Sequence, residues 1–95
     1  MVYEVAKELS RHLGVPEDEI IRRGLRAYLE EELRKVRAKI TAICVKYGVR
    51  NLEELDEKIN KGEISESDVF EDFTRLDHLE AVRRKLEEAL SRFLT

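Results

Sequence analysis

The chain has very few of the residues that break helices, cross-link chains or anchor a protein in a membrane. Its 95 residues include one proline, one cysteine, four glycines and no tryptophan. A single cysteine excludes an internal disulfide and is typical of a reducing compartment, so we expect a cytoplasmic protein. No apolar run approaches the ~18 residues that a membrane-spanning helix needs. The charged first turn, with Glu4 and Lys7, also predicts that there is no signal peptide.

Charged residues are what the chain has in abundance. They make up 41% of the sequence, with 21 acidic and 18 basic side chains and a net charge of −3. Such a composition is typical of helical proteins with solvated faces, and a Glu/Lys/Arg excess is common in thermophile proteins. The length predicts one helical domain over residues 1–95. Because so small a domain leaves much of its surface uncovered, we also expect self-association.

Glycine positions and apolar spacing divide the chain into four helices and leave no strand pattern. Gly14, Gly48 and Gly62 follow three apolar-periodic segments, where glycine accepts the left-handed conformation that ends a helix. Asn51 and Glu54 form a variant of the capping box, and Ser65 or Ser67 caps the last helix. The predicted helices are Val2–Leu13, Glu17–Tyr47, Leu52 to about Asn60, and Ser65 or Ser67 to about Leu94.

The second predicted helix carries a narrow apolar stripe with gaps of three, four, three and four residues, formed by Leu33, Val36, Ile40, Ile43 and Tyr47. That spacing is typical of a helix packed lengthwise against another helix. At 31 residues the helix is about 46 Å long, and the last helix is of similar length. We therefore predict an all-α fold in which two long antiparallel helices form a coiled-coil-like hairpin, with a short N-terminal helix and a short connector helix. Ile40 and Ile43 are predicted to face the N-terminal part of the last helix.

Several apolar residues remain without a partner once this hairpin has closed. They lie mainly on the first helix and on the N-terminal half of the second. Gly24 interrupts that second helix, and close approach of another backbone would explain it. We expect a homodimer through this region, or binding to another protein. The candidate partner-binding residues are Val2, Val5, Leu9, Leu13, Leu25, Tyr28, Phe93 and Leu94.

No pattern of catalytic residues stands out. Cys44 lies next to the apolar stripe and is interpreted as a packed core thiol. The acidic pairs Glu54/Glu57 and Asp68/Glu71 resemble the magnesium-binding carboxylates of all-α nucleotide pyrophosphohydrolases, but solvated helix faces explain them more simply. We therefore predict no catalytic residue, no metal site and no cofactor.

Nucleic-acid binding is also not expected of the chain alone. Arg22, Arg23 and Arg26 cluster at the start of the second helix, but three acidic residues, 17–19, lie beside them. A net charge of −3 leaves little of the counterion release that drives non-specific DNA binding.

Two stretches resemble antitoxins. Residues 13–30, LGVPEDEIIRRGLRAYLE, are similar to the helix-turn-helix half of ribbon-helix-helix antitoxins, although the DNA-reading strand is missing before the first helix. The segments KYGVRNLEELDEKINKGEISE and FEDFTRLDHLEAVRRKLEEAL resemble small archaeal all-helical antitoxin-like proteins. The resemblance implies a cytoplasmic protein that binds and neutralises a toxin, and it transfers no catalytic residue.

The function predicted from the sequence is therefore a non-enzymatic, antitoxin-like protein-binding module that occludes a partner toxin with its helices. Two alternatives stay open. The first is a structural homo-oligomer without a toxin partner. The second is a magnesium-dependent nucleotide pyrophosphohydrolase that would use the four carboxylates named above.

Overall fold

A computed structural model describes residues 1–93, which fold into four α-helices with no strand among them. The prediction of an all-α fold is confirmed. The last helix ends earlier than predicted, and Leu94 lies outside the described residues. The helices are α1 (Val2–Leu13), α2 (Glu17–Tyr47), α3 (Leu52–Asn60) and α4 (Glu66–Ser91).

Local signals set most of the helix ends. Gly14 and Gly48 both adopt left-handed backbone conformations, with φ of 67° and 66°, and end α1 and α2. The Asn51 side chain accepts a hydrogen bond from the backbone N–H of Glu54 at 2.9 Å, as the predicted cap requires. The predicted cap of α4 is different, because Ser65 precedes the helix without a side-chain capping bond and its hydroxyl pairs with Ser67 instead.

The core lies in the seam between α2 and α4, and α3 covers one end of it. Lys46 pairs with Asp72 and Arg37 with Glu87, so the two long helices run antiparallel. Ile40 and Ile43 are buried in one cluster with Val69, Leu76 and Leu79 of α4. The buried cluster comprises Ile40, Ile43, Cys44, Val49, Leu55, Val69, Leu76 and Leu79.

Asp72 ties α4 to the end of α2. Its carboxylate accepts hydrogen bonds from Lys46 Nζ at 2.8 Å and from the Tyr47 hydroxyl at 2.5 Å. Lys58 of α3 donates to the backbone carbonyl of Tyr47 at 2.9 Å, so three helices meet at this point. The bonds from Lys46 and Tyr47 hold the pKa of Asp72 below its ordinary value.

This lowered pKa predicts a specific pH dependence of stability. A carboxylate with a depressed pKa in the folded state stabilises the protein above its unfolded pKa of about 3.9, and this contribution is lost as the pH falls through the folded pKa. Asp72→Asn should therefore be less stable than the natural chain at neutral pH. The difference should shrink below about pH 4. Urea denaturation at neutral and acidic pH measures both values, and an unchanged difference would contradict the prediction. Tyr47→Phe tests the hydroxyl bond separately.

The molecule is a rod and not a sphere. Its principal extents are 63 × 25 × 17 Å and its radius of gyration is 19.4 Å, whereas a compact domain of this length has a radius of gyration of about 12 Å. Helix α1 packs on α2, and the core cluster contains no residue of α1. The N-terminal hairpin of α1 and α2 therefore stands apart from the main core.

Candidate protein-interaction surface

A groove of about 460 Å³ runs between α1 and the first turns of α2. Every residue that lines it is apolar or glycine, which is typical of ligand and partner sites and unusual for a solvent-facing surface. We call it the apolar groove. Its lining residues are Met1, Val2, Val5, Ala6, Leu9, Ile20, Ile21, Gly24 and Leu25.

The sequence builds this groove by giving α1 a small contact residue. Ala6 is 4% exposed and is the one buried residue of α1. Its methyl group allows the two helices to approach closely, while the larger Val5 and Leu9 on either side remain partly open to solvent. Gly14 turns the chain so that α1 folds back on α2. The two helices therefore bring their apolar residues together without covering them.

Six of the eight predicted partner-binding residues are exposed, with 40% to 70% of each side chain open to solvent. Four of them line the apolar groove, whereas Leu13 and Tyr28 do not. Phe93 is partly buried, and Arg22 donates a hydrogen bond to its carbonyl at 2.8 Å and places its guanidinium 5.6 Å from the ring centroid. Phe93 is thus already engaged within the chain, and Leu94 lies outside the described residues.

Ile20 and Ile21 were not among the predicted partner-binding residues, yet they form the α2 wall of the groove together with Leu25. The signal was present, because Ile21 and Leu25 are four residues apart, as are Ile20 and Gly24, and residues at this spacing are neighbours on a helix surface. Gly24 belongs to the same wall. A Cβ added there would meet nothing within 4 Å, so the close approach that this glycine suggests is not made by the chain's own backbone.

The basic residues beside the groove have acidic partners on their own helix. Arg23 donates to Glu19 at 2.9 Å and Arg26 donates to Glu30 at 3.0 Å. Arg22 lies 3.7 Å from Glu19 in addition to its contacts with Phe93. These arginines are not arranged as an open cationic patch of the kind that binds a phosphate backbone.

The acidic pairs considered for magnesium do not converge. Within residues 1–93, no group of three or more His, Cys, Asp or Glu side chains is placed to hold a metal ion. Glu54 instead closes the cap of α3, accepting bonds from the backbone N–H and the guanidinium of Arg50 at 2.9 and 2.8 Å. Glu54 therefore has a local structural role at the start of α3.

A second, smaller cavity of about 190 Å³ lies between α3 and the start of α4. Phe70 stands at its edge and is largely exposed. Asp56, Asn60 and Glu66 also line it, so it has neither the continuous apolar lining nor the size of the apolar groove. Among the described helices, none is both long and apolar enough to cross a membrane.

The chain is similar to proteins of one known family. The family model described as Uncharacterized protein MJ0235 family matches residues 1–94. Uncharacterized protein MJ0235 of Methanocaldococcus jannaschii is 32% identical over 63 residues, which cover 66% of this chain and 77% of that protein. No solved structure matches the chain.

Proposed function

The chain belongs to the Uncharacterized protein MJ0235 family, and from its exposed apolar groove we propose that it is a non-enzymatic protein-binding module. The observation that carries the proposal is the concentration of exposed large apolar side chains on one part of the rod. Val2, Val5, Leu9 and Leu25 are all exposed and all line the same groove. Contiguous exposed apolar surface of this kind marks interaction sites in soluble proteins.

The shape of the groove favours a helical partner. It lies between two helices, as do the grooves that accept the apolar face of an amphipathic helix. None of the residues that line the groove has a charged side chain, so a partner's affinity for the groove would come from the burial of apolar surface. Charged residues at its edge, such as Arg22 and Glu19, would orient the partner rather than hold it.

We further propose an antitoxin-like role, in which the protein neutralises a toxin by covering it with helices. The support is the resemblance of residues 13–30 to the helix-turn-helix half of ribbon-helix-helix antitoxins. That segment contains the α2 wall of the groove, namely Ile20, Ile21, Gly24 and Leu25. We propose that this role requires neither a cofactor nor nucleic acid and that the protein acts in the cytoplasm. A structural homo-oligomer without a toxin is the second candidate, favoured by the elongated shape.

Co-expression with the product of the adjacent gene tests the antitoxin-like role. We expect a small protein that arrests growth alone, that co-purifies with this chain, and whose toxicity this chain removes. Leu25→Glu should weaken the rescue at least tenfold in the amount of chain required. Val45→Glu is the matched control, because Val45 is also an exposed apolar residue of α2 but lies outside the groove. Absence of both co-purification and rescue would contradict the role.

A further inference from the structure

We propose that a second copy of this chain fills the apolar groove, so that two α1–α2 hairpins form a four-helix bundle around a two-fold axis. The inference rests on the proposed protein-binding function and names the partner at that site. In this arrangement each chain supplies both the groove and the helix that enters it, which is the usual form of a two-fold interface. A toxin would then meet the assembled dimer, and Leu25→Glu would weaken the rescue described above by disrupting that dimer.

The surface area of the chain fits a stable dimer. The chain exposes 7231 Å², whereas a compact protein of 11.2 kDa exposes about 5,700 Å². The excess is about 1,500 Å². Obligate homodimers bury about 1,000–2,500 Å² on each partner. The excess of exposed surface over the whole rod is therefore of the size that one partner buries in an obligate homodimer.

The charge of the hairpin also favours a second copy over a strongly charged partner. Residues 1–28 contain five basic and five acidic side chains and thus have no net charge. Two such segments do not repel each other, and they offer no net attraction to a basic or an acidic protein. The arginines at the edge are already paired, Arg23 with Glu19 and Arg26 with Glu30, and these pairs need not break when two apolar faces meet.

The α1–α2 hairpin leaves one apolar face uncovered, and a second hairpin packed on that face would complete a four-helix bundle. Helix α1 packs against α2 through Ala6, with Val5 and Leu9 left partly open at the groove. Four-helix bundles place such apolar residues in a shared interior, with helices nearly parallel or antiparallel. A second hairpin would place its own Val5 and Leu9 against Leu25 of the first, and the two-fold axis would repeat the contact.

Gly24 supplies the place of closest approach. A glycine in the interior of a helix is unfavourable relative to alanine, and no neighbour within this chain requires it, since a Cβ there would meet nothing within 4 Å. A Cβ at this position would project into the groove that the partner's helix occupies. Contacts within one chain therefore do not require a glycine at position 24, whereas close packing of the partner's helix in the dimer does.

Sedimentation equilibrium of the full chain, from low to high micromolar concentration, tests the proposal. We expect a mass of twice 11.2 kDa at high micromolar concentration. Leu25→Glu should weaken dimerisation at least 100-fold, whereas Val45→Glu should leave it unchanged. A natural chain that stays monomeric, or a Leu25→Glu chain that dimerises as tightly, would overturn the proposal. Co-purification of a monomeric chain with the adjacent gene product would still leave the proposed function standing.

Gly24→Ala keeps the proposal testable if Leu25→Glu does not fold. Alanine is the better helix former, so circular dichroism should show at least as much helix as in the natural chain. The dimer dissociation constant should nevertheless rise at least tenfold, because the new methyl group holds the two backbones apart. Dimerisation as tight as that of the natural chain would contradict the placement of Gly24 at the interface.

Discussion

We expect Leu76→Ala to lower the free energy of unfolding by about 2–5 kcal/mol, as large-to-small changes in well-packed cores do. Leu76 is 0% exposed and lies in the cluster that joins α2 to α4. The whole stability of a small domain is only about 5–15 kcal/mol. The substitution should therefore bring the chain close to unfolding. Urea denaturation followed by far-ultraviolet circular dichroism gives the value at a fixed chain concentration.

Val45→Ala is the control for this experiment. Val45 lies on α2 beside the core but is 74% exposed, so its truncation should change the free energy of unfolding by less than about 0.5 kcal/mol. Ile40→Ala should behave like Leu76→Ala, because Ile40 is a buried member of the same cluster. A loss below about 0.5 kcal/mol for either core variant would mean that α2 and α4 do not pack as the structure has them.

Most of the helix limits, though not the end of α4, were predictable because they depend on residues next to each other in the chain. Gly14 and Gly48 end helices through a backbone conformation that glycine adopts without strain. The stripe of α2 likewise repeats every three or four residues, and its members Ile40 and Ile43 are buried as predicted. Two helices of matched length and a short connector leave few arrangements other than an antiparallel hairpin.

Long-range polar contacts were not predictable in the same way. Tyr47 was assigned to the stripe as an apolar residue, but its hydroxyl reaches Asp72, which is 25 residues away in sequence. Phe93 was expected to be free for a partner, whereas Arg22 contacts it although the two residues are 71 positions apart in sequence. Spacing within a helix carries no information on which side chain of another helix will lie opposite.

The candidate site was likewise predictable in its local features and not in its long-range packing. The sequence indicated which apolar residues the hairpin would leave uncovered, and Val2, Val5, Leu9 and Leu25 do lie together in one groove. It did not indicate that α1 would contact α2 through Ala6. Which residue of α1 becomes buried depends on packing in three dimensions rather than on the apolar period alone.

We expect the thiol of Cys44 to react with iodoacetamide at mildly alkaline pH at least about 100-fold more slowly in the folded chain than in the chain unfolded by urea. Cys44 is 6% exposed within the α2–α4 core. Burial raises its pKa, and the charges of Glu80 and Glu54 raise it further. Reaction therefore requires that the core open, and an opening free energy of about 3 kcal/mol already gives a factor of about 100.

The Leu76→Ala variant tests whether the rate of this thiol reaction reports the opening of the seam between α2 and α4. Because that change destabilises the core around Cys44, its thiol should react faster than the natural one by a factor that follows the loss of stability, about tenfold for each 1.4 kcal/mol. Val45→Ala should leave the rate unchanged. Nearly equal rates in the folded and unfolded natural chain would show that the seam opens freely. The interpretation of Cys44 as a packed core thiol would then be wrong, and its reactivity would need a chemical explanation of its own.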